Sequence, residues 1–315
     1  MSIEVLKPGM LSSFQDIGRR HFQHLGVPCN GAVDERAHRI ANWLVGNSAN
    51  EATLEITLLG PTLRFNRNAV IAICGASLSP AIDGVPIAMH QVVSINAGSV
   101  LSFGQRLAGL RAYLSVQGGF ALEPVMGSTS TYVRGGYGGL QGRALKKADL
   151  IPLASASPTR PTRVLPEMSL FPLGVVQGSA APVRLIPGRE YRLFTQQSIQ
   201  DLVDQRYQLS AQSDRMGYRL TGPLLQLEQP LELWSEAVSA GTVQVPPDGS
   251  PIILMADSQT TGGYPRIANV AAIDLPRLAQ RVPGDTLGFQ WITLDEAQRL
   301  AVEQAMVFKH MEQTT

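Results

Sequence analysis

Short polar clusters bounded by glycine or proline hold the residues best suited to chemistry. The richest is Asp257-Ser258-Gln259-Thr260-Thr261-Gly262-Gly263-Tyr264-Pro265. It follows an apolar run, 252–255, so an acid, an amide, hydroxyls and a phenol emerge at a strand end. Asp257 could act there as a general base or orient a water; a plain turn is the competing reading. Ser213-Asp214-Arg215-Met216-Gly217-Tyr218-Arg219 holds two arginines four apart. They could clamp a carboxylate, or pair with Asp214 and support a turn. In the glycine-dense segment 135–143, backbone N–H groups of Gly138 and Gly139 could receive an anion with Arg143 beside them. Tight turns needing positive φ explain the same glycines. Ser128 and Ser130 are hydroxyl candidates for that anion site. In Gln15-Asp16-Ile17-Gly18-Arg19, a carboxylate and a guanidinium suit a local ion pair or substrate binding. Asp34 reads first as a helix cap, and nothing near Cys29 in sequence would lower its thiol pKa.

Several chemistries lack their residues. No GxxxxGK[ST] occurs, and Gln141 stands where a dinucleotide fingerprint needs its third glycine. No GxSxG elbow is present. The five histidines are His21, His24, His38, His90 and His310; His21-x-x-His24 has no third ligand at clear spacing, so no metal is expected. Two cysteines, Cys29 and Cys74, cannot build a disulfide framework. The four lysines (Lys7, Lys146, Lys147, Lys309) include none that follows a methionine as in a biotin carrier motif. A net charge of +1 gives no global field for nucleic acid or an anionic membrane.

The elements behind these clusters read as mainly β. The 315 residues suggest two domains or one large one, and 30 Gly with 21 Pro favour a turn-rich, strand-rich chain. Runs at 69–74, 91–95, 100–103 and 111–116 read as strands, as do 183–186, 207–211 and 252–255. A helix over 35–45 follows from Asp34 as N-cap, apolar residues at helical spacing, and Gly46 as C′ residue. Shorter helices are expected at 198–204 and 275–281. A terminal helix starts at a capping box on Thr293, with Ala297, Leu300, Ala301, Ala305 and Phe308 as its stripe. Small residues and then Pro158, Pro161, Pro166, Pro172 and Pro182 mark a linker. The expected organisation is an N-terminal domain over 1–153, a linker over 154–182 and a C-terminal domain over 183–315. No signal-peptide pattern or bilayer-length apolar run is visible, so a cytoplasmic location is expected.

The ordered series QDIGR (15–19), GVPCNGAVD (26–34), ANWLVGN (41–47), LEITLLGP (54–61), VMGSTST (125–131), GGLQGR (138–143), SDRMGYRL (213–220), VQVPPDGSPIILMADSQTTGGYPRIA (243–268) and DLPRLAQ (274–280) resembles the KipA family. That family is also called allophanate hydrolase subunit 2 or biotin-dependent carboxyltransferase subunit. The resemblance runs from about residue 8 to about residue 290, and within the family it is strongest to the 5-oxoprolinase branch.

The resemblance implies two cyclophilin-like β-barrel domains with a few short helices and a C-terminal helix. It implies an enzyme subunit, inactive alone, that helps to open 5-oxo-L-proline to L-glutamate at the expense of ATP. Its implied partners are two further 5-oxoprolinase subunits, one KipI-like and the other LamB/YcsF-like. ATP would be carried by this chain or by a partner, with no biotin attached here; self-association is compatible with this. The implied site has Asp257, Gln244 and Tyr264 as catalytic candidates. Arg215, Gln259, Thr260 and Thr261 are the substrate-binding candidates, and Arg143, Gly138, Gly139, Ser128 and Ser130 the anion-binding ones. In the urea carboxylase relatives an amide residue closes a GTIN strand, where this chain has Gly241-Thr242-Val243-Gln244; a lysine precedes an acidic residue where this chain has Ala271-Ala272-Ile273-Asp274. Two other readings stand beside this one: a biotin-dependent carboxyltransferase subunit of the urea carboxylase type, and a non-enzymatic regulator that binds a KipI-like protein.

Overall fold

The computed structural model describes residues 2–155, 163 and 181–313. Pro158, Pro161, Pro166 and Pro172 of the expected linker lie outside these. The chain forms two compact units, one of residues 1–19 and 30–177, the other of residues 20–29 and 178–314.

The first unit is built from two antiparallel sheets. One runs Leu150–Pro152, Ser2–Lys7, Thr62–Phe65, Val100–Phe103, Pro80–Ile82, Val85–Pro86; the other runs Leu11–Gln15, Thr53–Thr57, Ala108–Val116, Ala69–Ser77, Val92–Ile95. The chain crosses from one sheet to the other at each of the short turns 8–10, 58–61, 78–79 and 104–107. Period-two alternation then puts Ile3, Val5, Leu63, Phe65 and Leu101 from one sheet against Phe14, Leu54, Ile56, Ile71 and Leu114 from the other in one buried cluster. The alternate residues of the second sheet face the other way, beneath helix α1 (Glu35–Val45), and several are polar: Thr53, Glu55, Arg111, Tyr113 and Ser115 are all buried. α1 begins as expected, with the Asp34 carboxylate accepting from Ala37 N at 2.9 Å, and ends at Gly46 in the left-handed conformation.

The second unit is an eight-stranded sheet in the order Thr286–Leu287, Tyr207–Leu209, Gly217–Thr221, Ile252–Leu254, Thr242–Gln244, Arg266–Val270, Val183–Pro187, Phe289–Trp291. Its first and last strands are separated in sequence by Gly288 alone, so the sheet curls nearly into a closed barrel. Among the described residues three α-helices accompany it: α2 (Gln196–Asp204), α3 (Leu275–Ala279) and α4 (Leu294–Gln313). Thr293 caps α4 by accepting from Glu296 N at 3.2 Å. The buried stripe of α4 is Ala297, Phe308 and Met311, whereas Ala305 is exposed; over twenty residues a straight helix drifts out of register with a fixed apolar spacing. A separate two-stranded ribbon pairs Glu236–Ala237 with Thr261–Gly262. The fold is thus mainly β and barrel-based, with few helices.

Candidate active site and the family of the chain

Strand pairing in the second unit sets the site. Gly217–Thr221 pairs with Ile252–Leu254, Gly217 opposite Leu254. The ladder continues past both strand ends, Met255 N donating to Met216 O at 3.0 Å and Asp257 N to Arg215 O at 2.8 Å. Arg215 and Asp257 therefore leave the sheet side by side. The guanidinium donates from Nε to Asp257 Oδ2 at 2.8 Å and from Nη2 to Oδ1 at 2.9 Å, and both residues are buried. The carboxylate that Arg215 grips is thus the chain's own, in the two-point geometry that the fork favours.

Gln244 ends the central strand Thr242–Gln244, opposite Ile252 on one side and Arg266 on the other. Its side chain is buried and reaches the 261–264 segment, Nε2 lying 3.5 Å from Tyr264 O. A Cβ at Gly262 would fall 2.5 Å from that Nε2, so the absent side chain at 262 is what gives the amide its room. Gln259, Thr261 and Tyr264 are exposed and Thr260 is half-buried. Segment 257–264 thus runs from the Arg215 pair to the Gln244 amide, presenting an acid, amides, hydroxyls and a phenol along one stretch.

Sequence reasoning misses two features beside it. Arg266, the register partner of Gln244, forks onto Glu190 at 2.7 Å through both Nε and Nη2 and also reaches Glu236 at 2.8 Å. Burial would raise the Glu190 pKa, but the Arg266 charge and hydrogen bonds outweigh it and hold the carboxyl below its ordinary value. The second feature is Trp234, 92% exposed. A lone tryptophan among leucines after a proline, Gln229-Pro230-Leu231-Glu232-Leu233-Trp234, is the available signal for it.

The glycine-rich loop of the first unit has a different character. Three of its N–H groups turn inward: Gly136 donates to Tyr132 O, Gly139 to Thr129 O and Gly142 to Gly138 O, each at 2.8 or 2.9 Å. A Cβ at Gly138 would meet Ser130 O at 2.0 Å, and one at Gly139 would meet Thr131 Oγ1 at 2.0 Å. Arg143 forks onto Asp149 at 2.7 and 2.8 Å and donates to Gln141 at 2.7 Å. Ser128 and Ser130 direct their hydroxyls at Asp16 Oδ1, at 2.7 and 2.5 Å. Gly18 N completes the shell of Oδ1, and Thr129 donates to Oδ2 through both N and Oγ1. Burial raises the Asp16 pKa, but the hydroxyls of Ser130 and Ser128 and the N–H groups of Gly18 and Thr129 outweigh it and hold the carboxyl below its ordinary value. Arg19, 1% exposed, donates to Asn30 Oδ1 and Ser130 O, each at 2.6 Å, with its guanidinium carbon 4.9 Å from the Tyr137 ring centroid. Asp16, Arg19 and the loop thus lock one another in place. An anion there would have to displace these bonds, and the donor set does not fit an open phosphate cradle. Among the described residues no group of three or more His, Cys, Asp or Glu is placed to hold a metal ion, and no helix is long and apolar enough to cross a membrane.

Barrel-type sheets with polar residues gathered at strand ends define a class that the comparisons with known proteins make specific. Residues 25–291 match the family described as "Carboxyltransferase domain, subdomain A and B", and the chain belongs to that family. It is 38% identical to the C subunit of 5-oxoprolinase from Haemophilus influenzae, over 95% of this chain and 94% of that one. It is also 38% identical to the C subunit of 5-oxoprolinase from Escherichia coli, over 98% of this chain and 97% of that one. Its structure is similar to that of K. lactis urea amidolyase, with a TM-score of 0.87 and 30% identity over 98% of this chain; the chain spans 20% of that much longer protein.

Proposed function

We propose that the chain is a subunit of an ATP-dependent 5-oxoprolinase, working in the cytoplasm with a KipI-like protein and a LamB/YcsF-like protein as its partner subunits. The observation that carries this reading is 38% identity along nearly the full length of both chains to proteins named as the C subunit of 5-oxoprolinase.

The lactam of 5-oxoproline is unstrained, so its carbonyl needs activation. Transfer of the γ-phosphoryl group of ATP to the lactam oxygen releases ADP and makes the ring carbon electrophilic. One water adds to that carbon and the ring C–N bond breaks, leaving γ-glutamyl phosphate with a free amine. A second water releases phosphate and glutamate. Asp257, oriented by Arg215, takes the proton from an attacking water. The Gln244 amide and the Tyr264 hydroxyl donate to oxygen as it gains charge, while Gln259, Thr260 and Thr261 contact the substrate. In this reading a partner carries the nucleotide; the engagement of Arg143 by Asp149 supports that.

The test is to mix the three purified proteins and assay glutamate formed from 5-oxoproline and ATP, omitting each protein in turn. Glutamate only with all three is expected. A stable complex that forms none would overturn the reading and favour carboxyl transfer, for which the likeness to urea amidolyase speaks. Unchanged activity of Asp257→Asn in an active complex would remove Asp257 from the mechanism.

A further inference from the structure

Gln244 is 2% exposed, and among the described residues its amide has one hydrogen bond, the 3.5 Å contact with Tyr264 O. A bond at that limit fixes a side chain poorly, so packing must hold the amide in place. On one side Gln244 stands beside Arg266, its register partner in the sheet. On the other it meets Gly262, where a Cβ would lie 2.5 Å from Nε2. Gly262 belongs to the two-stranded ribbon, directly opposite Glu236. Residues opposite one another in a ladder project from the same face. The Glu236 side chain therefore leaves the ribbon on the face that Gly262 turns to Gln244. It ends on the Arg266 guanidinium at 2.8 Å and also pairs with Arg189. Four residues thus close a circuit: Gln244 to Arg266 along the sheet, Arg266 to Glu236 by an ion pair, Glu236 to Gly262 across the ribbon, and Gly262 back to Gln244.

We propose that Glu236 is a positioning residue for the Gln244 amide: its ion pairs clamp the ribbon onto the barrel and so keep Gly262 packed against that amide. The proposal rests on the function proposed above and deepens its site. The ribbon needs such a tie. Its strands are two residues long and join no larger sheet, and a two-stranded ribbon is marginal by itself. Arg266 is a firm post for it. Its backbone N donates to Glu190 at 3.0 Å, and its Nε and Nη2 fork onto the same carboxylate at 2.7 Å. Glu190 N returns a bond to Arg266 O at 3.2 Å. Glu190 is buried, whereas the Glu236 side chain is 38% exposed. The inner pair is therefore fixed, and the outer carboxylate is the part that ties the ribbon down. Because Glu236 bridges two arginines, it belongs to a network rather than to an isolated surface pair. Without its charge the ribbon face loses that attachment, Gly262 withdraws, and the amide gains room to turn away from the substrate oxygen.

The experiment compares wild type, Glu236→Gln, Gly262→Ala and the double variant in the complex with the KipI-like and LamB/YcsF-like proteins. Glu236→Gln keeps the size of the side chain and removes its charge. Its kcat is expected to fall about 10-fold, as for a reacting group out of place. Its KM should stay within about two-fold, because the interaction lost is one made in the transition state. Its unfolding midpoint should equal that of the wild type. In the Gly262→Ala background, where the amide is already displaced, Glu236→Gln should cost nothing further, as for residues that act through one another. Amide hydrogen exchange of the full chain, read by mass spectrometry, should quicken over residues 259–264 in Glu236→Gln. A kcat within about two-fold of wild type, or losses that add in the double variant, overturns the positioning role while the oxoprolinase reading stands. A wild-type complex that forms no glutamate overturns the oxoprolinase reading. Unchanged exchange over 259–264 in Glu236→Gln then overturns the positioning role as well, and faster exchange there upholds it.

Discussion

Arg215 and Asp257, 42 positions apart, are joined by two side-chain hydrogen bonds of 2.8 and 2.9 Å and by a backbone bond of 2.8 Å. The pair closes the end of two neighbouring strands and fixes where the segment from 257 to 264 begins. A substrate carboxylate meeting Arg215 would compete with a chain carboxylate already in place. We therefore assign Arg215 chiefly to positioning Asp257.

Breaking that pair from one side leaves a buried charge without its main partner. Asp257→Asn is expected to destabilise the protein by about 3 kcal/mol, read from urea unfolding at neutral pH. Replacing both residues with apolar ones of similar volume should recover part of the loss. A single-variant change below about 0.5 kcal/mol, the level typical of surface substitutions, would mean the pair holds nothing together.

The glycine loop offers an internal control. Gly138 has φ +75° and no room for a Cβ, whereas Gly136 has φ +70° and open space around it. Gly136→Ala should cost about 1 kcal/mol, the left-handed backbone penalty alone. Gly138→Ala should cost about 3 kcal/mol or more, because overlap with Ser130 O adds to that penalty. Equal losses in thermal or urea unfolding would contradict the packing described for the loop.

Acid unfolding should show two buried groups in the first unit. His38 is held below its ordinary pKa by burial, with Nδ1 at 2.8 Å from Thr53 Oγ1 and Nε2 at 2.9 Å from Ala49 O. Its contribution is complete above about pH 6.5, the unfolded value, and is lost as pH falls toward its lower folded value. Asp16 also has a depressed folded pKa, so its contribution is complete above about pH 4 and disappears as pH falls further. His38→Gln should flatten the stability profile just below about pH 6.5, and Asp16→Asn should flatten it below about pH 4. Unfolding free energy against pH for the three proteins measures this; parallel profiles would refute it.

Gly262 tests the Gln244 amide without touching it. Gly262→Ala puts a methyl group 2.5 Å from the present place of Gln244 Nε2, and the amide must move aside. Turnover of 5-oxoproline by the reconstituted complex should fall about 10- to 100-fold, as expected when a reacting group is misplaced by an ångström. Stability should change by less than about 1 kcal/mol, since the far end of a flexible side chain can yield. Full turnover would place the Gln244 side chain outside the reaction.

Features that depend on near neighbours are legible in the sequence alone. The Asp34 and Thr293 caps act over three residues, and Gly46 ends α1 within one turn. The strands of the first unit follow from apolar runs and the turn residues between them. The family followed from the order of many short motifs. What the polar residues do is fixed in the folded chain, because their partners are set by which strands pair. Asp16 reads in sequence as a mate for Arg19 or as a substrate contact, yet it is enclosed by donors from residues 128–130. Glu55 and Tyr113 meet at 2.8 Å beneath α1 because their strands are neighbours. Arg143 reads as an anion binder, and Arg215 as a carboxylate clamp or a mate for Asp214; each folds onto another carboxylate of its own chain. A buried charge is stable only with a partner close at hand, and only the folded chain determines which partner that is.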